Sequence, residues 1–381
     1  MFRSPALLVA LLFTTAASAE DWLQWRGPTG DNHAPAGATA PVAWSEESGL
    51  AWKTPIPGRG HSSPTLVGDR IYLTTADVDA ETQSLLVLDR TTGRLLKETV
   101  THRGGLPAAN EIHPNNTHAS PTVASDGERV FALFLNRDGA QVTAYDLAGE
   151  ILWQKRALGF DPQRYSFGFG SSPGVAGGLV FVASEYDGPE SGLCALDAAT
   201  GEPVWSTPRN KMLSYSSPAL APIGGKPLLL MSGNYSIRAY DARTGEEQWN
   251  SGKVTTQATC GTMVWDEGLG LAFASGGYPD VATVAVRLDG DHGVEWQNTR
   301  VKCYEQSMLL AGGNLYGYSD RGIMYCFDAR TGDVAWKERL GGPVSSSPLL
   351  VGNAIYATTE AGVTHVFRAS AEGFERLGEN Q

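Results

Sequence analysis

The sequence is short of positive charge and of long hydrophobic runs, and both shortages exclude classes of protein. Its 381 residues include 29 Lys and Arg against 41 Asp and Glu, a formal net charge of −12. Because no basic stripe is present, nucleic acid and anionic membrane surfaces are not expected as partners, and a cation or a basic partner is favoured. Beyond residue 19, no stretch approaches the roughly 18 apolar residues that a membrane-spanning helix needs.

The only long apolar run lies at the N-terminus. Arg3 is followed by apolar residues 7–13 and then by small residues that end in Ala17-Ser18-Ala19. This is the pattern of a cleavable secretory signal peptide. We therefore expect residues 1–19 to be removed and the mature chain to begin near Glu20. The protein is therefore expected to be periplasmic or secreted and to have no integral membrane segment. No cysteine follows the cleavage point, so a lipid anchor is not supported.

Cysteine is scarce, which argues against a zinc site. The four cysteines, Cys194, Cys260, Cys303 and Cys326, include no Cys-x-x-Cys pair and no histidine at zinc spacing. Cys194 and Cys326 lie in strand-like runs, where a buried and chemically inert thiol is expected. Cys260 and Cys303 fall near strand starts, and a disulfide between them in an oxidising compartment stays open as an alternative.

Glycine and proline, by contrast, are abundant, with 45 and 21 copies, and they mark a repeat. A Ser-Pro pair followed by a short apolar strand recurs along the chain. Its clear copies begin at Ser63, Ser120, Ser172, Ser217 and Ser347, and degenerate copies occur at Cys260-Gly261 and Ser307-Met308. The mean spacing of about 47 residues suits one four-stranded propeller blade per repeat.

A second motif follows each Ser-Pro position and predicts a hairpin. An apolar strand ends in Asp, a Thr-Gly turn follows, and the next strand carries Trp. The clearest copies are Asp197-Gly201-Trp205, Asp241-Gly245-Trp249 and Asp328-Gly332-Trp336. In such a turn the Asp side chain caps the backbone and Gly adopts a positive φ. The repeated Asp residues are therefore expected to be turn residues, and the Trp residues to pack between blades.

Together the repeats predict an all-β protein with a single β-propeller of four-stranded blades. Seven blades are favoured and eight are the alternative. Because an unclosed ring would leave exposed sheet edges, a strand around Trp52 is expected to complete the last blade and seal the ring. The expected organisation is a signal peptide at 1–19, an N-terminal extension at 20–49 and a propeller domain at 50–381.

The combination Asp-x-x-Thr-Gly-x-x-x-Trp with a following Ser-Ser-Pro strand resembles the pyrroloquinoline-quinone-like (PQQ-like) repeat. That repeat builds the propellers of quinoprotein dehydrogenases and of the propeller subunit of the bacterial outer-membrane-protein assembly machinery. The resemblance runs from about Trp22 to the C-terminus. The segment Trp22 to Pro28, with Trp25, Arg26 and Gly27, also looks like the start of a group of exported proteins abundant in planctomycetes and related bacteria. The resemblance implies a fold, whereas function depends on sites placed on it.

This chain departs from both kinds of relative at the residues that matter for function. Quinoprotein alcohol dehydrogenases hold their quinone between a Trp and an adjacent-cysteine disulfide, with a bound calcium or lanthanide ion and an Asp base. The chain has no adjacent cysteines, and Asp77-Val78-Asp79 is its only Asp-x-Asp near an expected channel loop. The lipid-attachment cysteine of the assembly subunit is missing as well. No cofactor is therefore expected, with PQQ or a divalent metal as the alternative.

In a propeller, the loop before each blade and the loop in the middle of each blade share one face around the channel. The candidate ligand-binding residues on that face are Arg59, His61, His113, Asn115, Asn116, His118, Arg164, Tyr165, Glu185, Asp187, Tyr304, Glu305 and Asp320. Converging imidazoles and carboxylates could bind a divalent metal or move protons. Alternatively, His61 and His118 only hydrogen-bond the backbone. Acidic loops beside the histidines are expected to raise their pKa.

Two functional classes remain open. The favoured one is a monomeric, exported binding scaffold whose channel-mouth loops contact a protein, a peptide or a saccharide. The alternative is a quinone- or metal-dependent oxidoreductase with its site in the central channel. A hydrolase or lyase that uses the histidines and carboxylates is a third, weaker candidate. No Gly-rich phosphate loop, Gly-x-Ser-x-Gly elbow or His-Glu-x-x-His helix is present, so enzymatic activity is not the first expectation and no catalytic residue is assigned.

Overall fold

The computed structural model describes residues 21–381, so the predicted signal peptide at 1–19 lies outside the described residues. Within the described part, one short 3₁₀ helix, Ala109–Glu111, accompanies 28 strands. The strands form seven four-stranded antiparallel sheets, each made of four consecutive strands. The prediction of an all-β propeller with seven blades is confirmed.

Blades 1 to 4 follow one another along the chain. Blade 1 contains β1 (Thr65–Val67), β2 (Arg70–Asp77), β3 (Thr82–Asp89) and β4 (Leu95–Arg103). Blade 2 contains β5 (Ala124–Ser125), β6 (Arg129–Asn136), β7 (Gly139–Asp146) and β8 (Ile151–Gly159). Blade 3 contains β9 (Gly174–Ala176), β10 (Leu179–Ser184), β11 (Gly192–Asp197) and β12 (Pro203–Pro208). Blade 4 contains β13 (Ala219–Ile223), β14 (Lys226–Gly233), β15 (Ser236–Asp241) and β16 (Glu247–Asn250).

Blades 5 to 7 complete the ring. Blade 5 contains β17 (Val264–Asp266), β18 (Leu271–Gly276), β19 (Ala282–Arg287) and β20 (Val294–Asn298). Blade 6 contains β21 (Leu309–Ala311), β22 (Asn314–Tyr318), β23 (Ile323–Asp328) and β24 (Val334–Arg339). Blade 7 contains β25 (Leu349–Val351), β26 (Ala354–Thr358), β27 (Thr364–Arg368) and β28 (Arg376–Asn380). First strands of neighbouring blades contact one another and surround the central channel.

The Asp-Thr-Gly motifs form the turns that the sequence predicts. Asp197 Oδ1 accepts hydrogen bonds from the backbone N–H of Ala199, the backbone N–H of Thr200 and the Thr200 hydroxyl. Gly201 follows with a φ of +73°, which a residue with a Cβ rarely adopts. The Asp side chain is thus satisfied within its own turn, as expected for a structural residue.

Outer-strand tryptophans join four of the blades to the next blade in the ring. The indole N–H donates to a backbone carbonyl of the following blade in the pairs Trp153–Ala198, Trp205–Ala242, Trp296–Ala329 and Trp336–Ser370, at 2.8–3.2 Å. A Cβ on the turn glycine of the next blade would clash with the ring, as Gly201 shows against Trp153. The predicted packing of Trp between blades is confirmed.

The hydroxyl residue of each Ser-Pro repeat links the first strands around the channel. The backbone N–H of Ser63 donates to Thr122 Oγ1, that of Thr122 to Ser172 Oγ, and that of Ser172 to Ser217 Oγ, at 2.9–3.0 Å. Thr262, Ser307 and Ser347 continue the pattern. The structure therefore corrects two predicted repeat positions, Ser120 and Cys260, by two residues to Thr122 and Thr262. Threonine supplies the same accepting hydroxyl as serine at this position. The positions predicted from the sequence for these two repeats are therefore two residues too early.

Ring closure differs from the expected strand exchange. The fourth strand of blade 7 is β28 at the C-terminus, and Trp52, although within the described residues, belongs to no strand. Trp52 nevertheless donates its indole N–H to the Arg90 carbonyl of blade 1 at 3.2 Å. Gly378 of β28 occupies the register position that Trp336 holds in blade 6. The N-terminal segment thus supplies the tryptophan that blade 7 itself lacks, without adding a strand.

Residues 22–34 cross the channel and touch six of the seven blades. This segment is called the plug below. Its hydrogen bonds or β-bridges join Trp22 to Leu66, Leu23 to Ser125, Gln24 to Val175, Trp25 to Thr262, Arg26 to Met308, and His33 and Ala34 to Leu350. Residues 22–34 of the segment predicted as an extension therefore lie inside the ring, where they bridge the first strands of blades 1 and 7.

The described part of the chain contains no helix with the length and apolar character needed to cross a bilayer.

Candidate functional site

The candidate residues lie at one end of the propeller, here called the loop face. It consists of the loops that lead into each first strand and the loops between second and third strands. The opposite end, the turn face, carries the tight Asp-Thr-Gly turns. Antiparallel strands place these two sets of connections at opposite ends of every blade. Loops on a rigid scaffold are common places for binding residues, which makes the loop face the candidate site.

Three ring side chains form an exposed aromatic patch on the loop face: His113, Tyr165 and Phe167. Tyr165 and Phe167 stack with centroids 6.0 Å apart and planes 13° apart, and His113 meets Phe167 edge-on at 5.6 Å. Tyr165 is 48% exposed and Phe167 is 42% exposed. Asn116 holds the patch by donating its side-chain amide to the Phe167 carbonyl at 2.8 Å. Because this hydrogen bond holds the loop that carries the exposed apolar rings, the rings are available to contact a ligand.

The other residues of this region mainly shape the loops. His118 Nε2 contacts the Pro107 carbonyl at 2.9 Å, which is the backbone role considered as the alternative for this histidine. The Asn115 backbone N–H donates to His113 Nδ1 at 3.1 Å. Arg59 donates to the Pro114 carbonyl at 3.3 Å. These contacts tie the segment from 107 to 118 to its neighbours.

The expected rise in histidine pKa is wrong at His61. Burial lowers its pKa, the nearby Arg59 charge lowers it further, and Glu360 offsets only part of the effect. The His61 backbone N–H donates to the Ala119 carbonyl at 3.0 Å. The prediction considered the acidic loops around this residue, whereas its burial and the guanidinium of Arg59, two positions earlier in the sequence, have the larger effect.

Asp187 also has a structural partner. Its two carboxylate oxygens accept the backbone N–H groups of Gln163 and Arg164 at 2.9 and 3.1 Å. The carboxylate therefore fixes the loop that leads to Tyr165. Asp187 thus contacts Arg164 through the backbone of Arg164.

A second group lies between blades 5 and 6. Asp320 accepts the Tyr304 backbone N–H at 3.1 Å and lies 3.5 Å from Lys302 Nζ. Lys302 Nζ lies 5.3 Å from the centre of the Tyr304 ring. Burial raises the pKa of the Tyr304 phenol, and its neighbour Cys260 raises it further. Glu305 lies close enough to Cys260 to act on that thiol in turn.

The strongest electrostatic feature of the loop face is a buried ion pair. Glu185 follows β10, and Arg209 follows β12 of the same blade. Arg209 Nε donates to Glu185 Oε1 at 2.6 Å, and both side chains are 1% exposed. Asn234 donates to the same oxygen at 2.8 Å, and Arg209 Nη1 donates to the Tyr240 hydroxyl at 2.7 Å. Burial disfavours the charge of Arg209, but the Glu185 carboxylate outweighs it and raises the pKa of the guanidinium.

Sequence analysis found Glu185 but missed Arg209, Asn234 and Tyr240. These residues come from three different elements, and only Arg209 precedes a Ser-Pro repeat. No feature of the repeat distinguishes Arg209 from other basic residues in loops. The thirteen predicted residues thus fall into three groups, centred on the aromatic patch, on Glu185 and on Tyr304.

All four cysteines lie in the described part, and all are free thiols, so the open alternative of a Cys260–Cys303 disulfide is not realised. Cys194 and Cys326 are buried, as predicted. Burial raises the pKa of Cys194 to about 12, which keeps it protonated and unreactive.

The residues present do not fit a quinone held as in the dehydrogenases. The sequence has no adjacent cysteines. Among residues 21–381, no three His, Cys, Asp or Glu side chains gather into a set that could ligate a metal ion. The plug, moreover, fills part of the central channel with the protein's own chain. No catalytic step is therefore derived through a quinone or a metal.

The repeats, the seven blades and the inter-blade tryptophans define a PQQ-like β-propeller protein. The family described as outer membrane protein assembly factor BamB matches residues 29–155, 83–338 and 311–373. Since these matches span most of the sequence, the chain belongs to this family. Among curated proteins, none matches the chain significantly.

Solved structures share the fold at low sequence identity. BamB from Moraxella catarrhalis is 17% identical with a TM-score of 0.59, and the alignment covers 83% of this chain and 85% of that one. The quinohemoprotein alcohol dehydrogenase ADHIIG from Pseudomonas putida HK5 is 14% identical with a TM-score of 0.57, covering 94% of this chain and 76% of that one. At these identities the similarity establishes the fold and leaves function to the site.

Proposed function

We propose that the protein is an exported, monomeric binding scaffold without catalytic activity, which contacts a protein, a peptide or a saccharide through its loop face. The aromatic patch is the observation that carries this proposal. Tyr165 and Phe167 are large, exposed and held in a stacked arrangement by loops of a rigid ring. Exposed aromatic side chains of limited mobility supply much of the binding energy at interfaces.

The rest of the molecule supports the same choice of face. On the turn face, Asp197, Asp241 and Asp328 direct their carboxylates into their own turns. Inside the channel, the plug hydrogen-bonds the first strands of six blades. The exposed aromatic side chains Tyr165 and Phe167 lie on the loop face, which is therefore the surface proposed to contact a ligand.

Export and binding are also consistent with the family. The N-terminal segment predicts a signal peptide, and the matching family is described as an assembly factor for outer membrane proteins. An assembly factor acts through contacts with other molecules, which suits a scaffold better than an oxidoreductase. The oxidoreductase alternative has weaker support because the residues do not fit the quinone.

Site-specific photo-cross-linking tests the proposal. A benzophenone amino acid is placed at Tyr165 on the loop face or, as a matched control, at Arg330 on the turn face, and the protein is exported in its native host. We expect adducts from position 165 that become several-fold weaker when Phe167→Ala is added. Equal adducts from both positions, or adducts that Phe167→Ala does not change, would contradict the proposal. Native mass spectrometry that finds a stoichiometric quinone or metal would favour the oxidoreductase.

A further inference from the structure

A small pocket opens on the loop face between blades 3 and 4. Its lining includes Phe160, Phe169, Ser171, Glu185 and Tyr215. The cavity volume is about 10 Å³, which admits one group of the size of a water molecule. Two phenyl rings form an apolar wall, and the other three side chains contribute oxygen atoms.

The polar atoms of this pocket lack partners within the protein. Ser171 Oγ, Glu185 Oε2 and Tyr215 Oη are buried and make no hydrogen bond to any residue of the described chain. Ser171 is 4% exposed and Glu185 is 3% exposed. Most buried polar groups in folded proteins have a partner, so three unpartnered atoms around one cavity indicate a place for a group from outside.

The charge of the pocket restricts what that group can be. Glu185 Oε1 is already bound by Arg209 at 2.6 Å and by Asn234 at 2.8 Å, so the carboxylate is balanced by one guanidinium. An anion would be repelled by the Glu185 carboxylate, and an ammonium group would be repelled by the Arg209 guanidinium that already neutralises this carboxylate. A neutral group avoids both repulsions.

The hydrogen-bonding pattern restricts the group further. Glu185 Oε2 accepts only, so the group must donate a hydrogen. Burial raises the pKa of Tyr215, which therefore remains a protonated phenol that can donate as well as accept. A hydroxyl is a neutral group of the right size that donates to one partner and accepts from another. The apolar wall of Phe160 and Phe169 suits the carbon atoms that carry such a hydroxyl.

We propose that this pocket receives one hydroxyl group of a neutral saccharide, whose remaining atoms lie outside on the loop face. The inference rests on the proposed binding function and names its ligand class. Saccharides present many hydroxyls that are attached to apolar C–H faces, so one ligand satisfies both the polar atoms and the exposed rings of the loop face.

Two variants test the pocket without removing a bond that holds the fold. Tyr215→Phe and Ser171→Ala each delete a hydroxyl that has no partner in the protein, so both should fold like the wild type. Tyr316→Phe is the matched control, because Tyr316 lies in the blade 6 core beside Trp336. Calorimetric titrations use hexasaccharides of glucose and of N-acetylglucosamine as neutral probes. Oligoglucosamine and oligogalacturonate are the cationic and anionic probes.

At least one neutral hexasaccharide is expected to bind, with a dissociation constant that increases about three- to tenfold in each pocket variant and is unchanged in Tyr316→Phe. The proposal is overturned if no neutral probe binds, if a charged probe binds more tightly, or if both pocket variants bind like the wild type. In the last case the pocket holds only water. Adducts from position 165 without saccharide binding would reject this inference alone, whereas equal adducts from positions 165 and 330 would reject the proposed function.

Discussion

Arg26 Nη2 donates a hydrogen bond of 2.9 Å to the carbonyl of Met308, which joins the plug to blade 6 across 282 positions of sequence. The same side chain donates to the carbonyls of Gly30 and Asp31 at 3.0 and 3.1 Å. Arg26 is 1% exposed, and burial lowers its pKa to about 10, with Asp31 partly compensating. A guanidinium still carries its charge there at neutral pH, so this buried cation is held by backbone carbonyls at the centre of the ring.

Replacing Arg26 should therefore weaken the whole propeller. Arg26→Met leaves three carbonyls without their donor, of which that of Met308 accepts a fully buried hydrogen bond, and we expect the free energy of unfolding to fall by about 2–4 kcal/mol. Urea denaturation measures this change. Arg243→Met, on an exposed arginine of a turn, is the control and should change stability by less than about 0.5 kcal/mol. Equal effects of the two substitutions would mean that the plug adds nothing to the fold.

Trp52 should contribute to the stability of the fold although it lies outside every strand. It covers Gly93 and donates to the Arg90 carbonyl, while the Thr54 hydroxyl donates to the Gly93 carbonyl at 2.7 Å. Trp52→Ala removes this contact between the N-terminal segment and blade 1, and we expect a loss of about 2–3 kcal/mol in thermal or urea unfolding. Leu50→Ala, at a neighbouring residue that is 46% exposed, should have little effect. An unchanged midpoint for Trp52→Ala would show that β28 alone seals the ring.

Stability should decrease in mild acid because of His102. Burial, helped by the charge of Arg137, lowers the pKa of His102 to about 4 from an ordinary value of 6.5. Between these values the unfolded chain binds a proton that the folded chain does not, so the free energy of unfolding falls as the pH drops from about 6.5 to about 4.

His102→Phe isolates this contribution. The ring meets Phe134 edge-on at 5.8 Å, and a phenyl group can keep that contact without titrating. Between pH 7.5 and pH 4, the loss of stability in the variant should be about 1–2 kcal/mol smaller than in the wild type. Urea denaturation at the two pH values gives the difference. Parallel pH profiles of the two proteins would place the acid sensitivity in other groups.

The mature N-terminus should lie just before the plug. Cleavage of the signal peptide after Ala19 makes Glu20 the first residue. The next residue, Asp21, accepts the Gly68 backbone N–H through its carboxylate at 2.7 Å, at the start of the segment that crosses the channel. Intact mass spectrometry of the exported protein should find a chain that begins at or near Glu20. A chain that retains Met1 to Ala19 would contradict the prediction of a cleaved signal peptide.

The class of fold and most of its local chemistry follow from the sequence alone. The Asp-Thr-Gly turns, the tryptophans between blades and the count of seven blades were predictable because each repeat depends on residues close together in sequence. A turn needs its own Asp and Gly, as Asp197 and Gly201 show. Periodicity then gives the number of blades without any knowledge of contacts between them.

How the ring closes, and which polar groups meet, depends on the packing of the blades and is seen only in the folded protein. Two sets of contacts join residues that are distant in sequence and belong to no repeated motif: Arg26 with Met308, and Glu185 with Arg209 and Asn234. No local sequence pattern therefore predicts these contacts. The pKa of His61 depends likewise on its burial and on the charge of Glu360, which lies far from it in sequence and is brought near it by the folded ring. Hydrogen bonds within a turn and the spacing of the repeats can be predicted from the sequence. Burial and long-range electrostatic interactions arise only when the blades pack against one another.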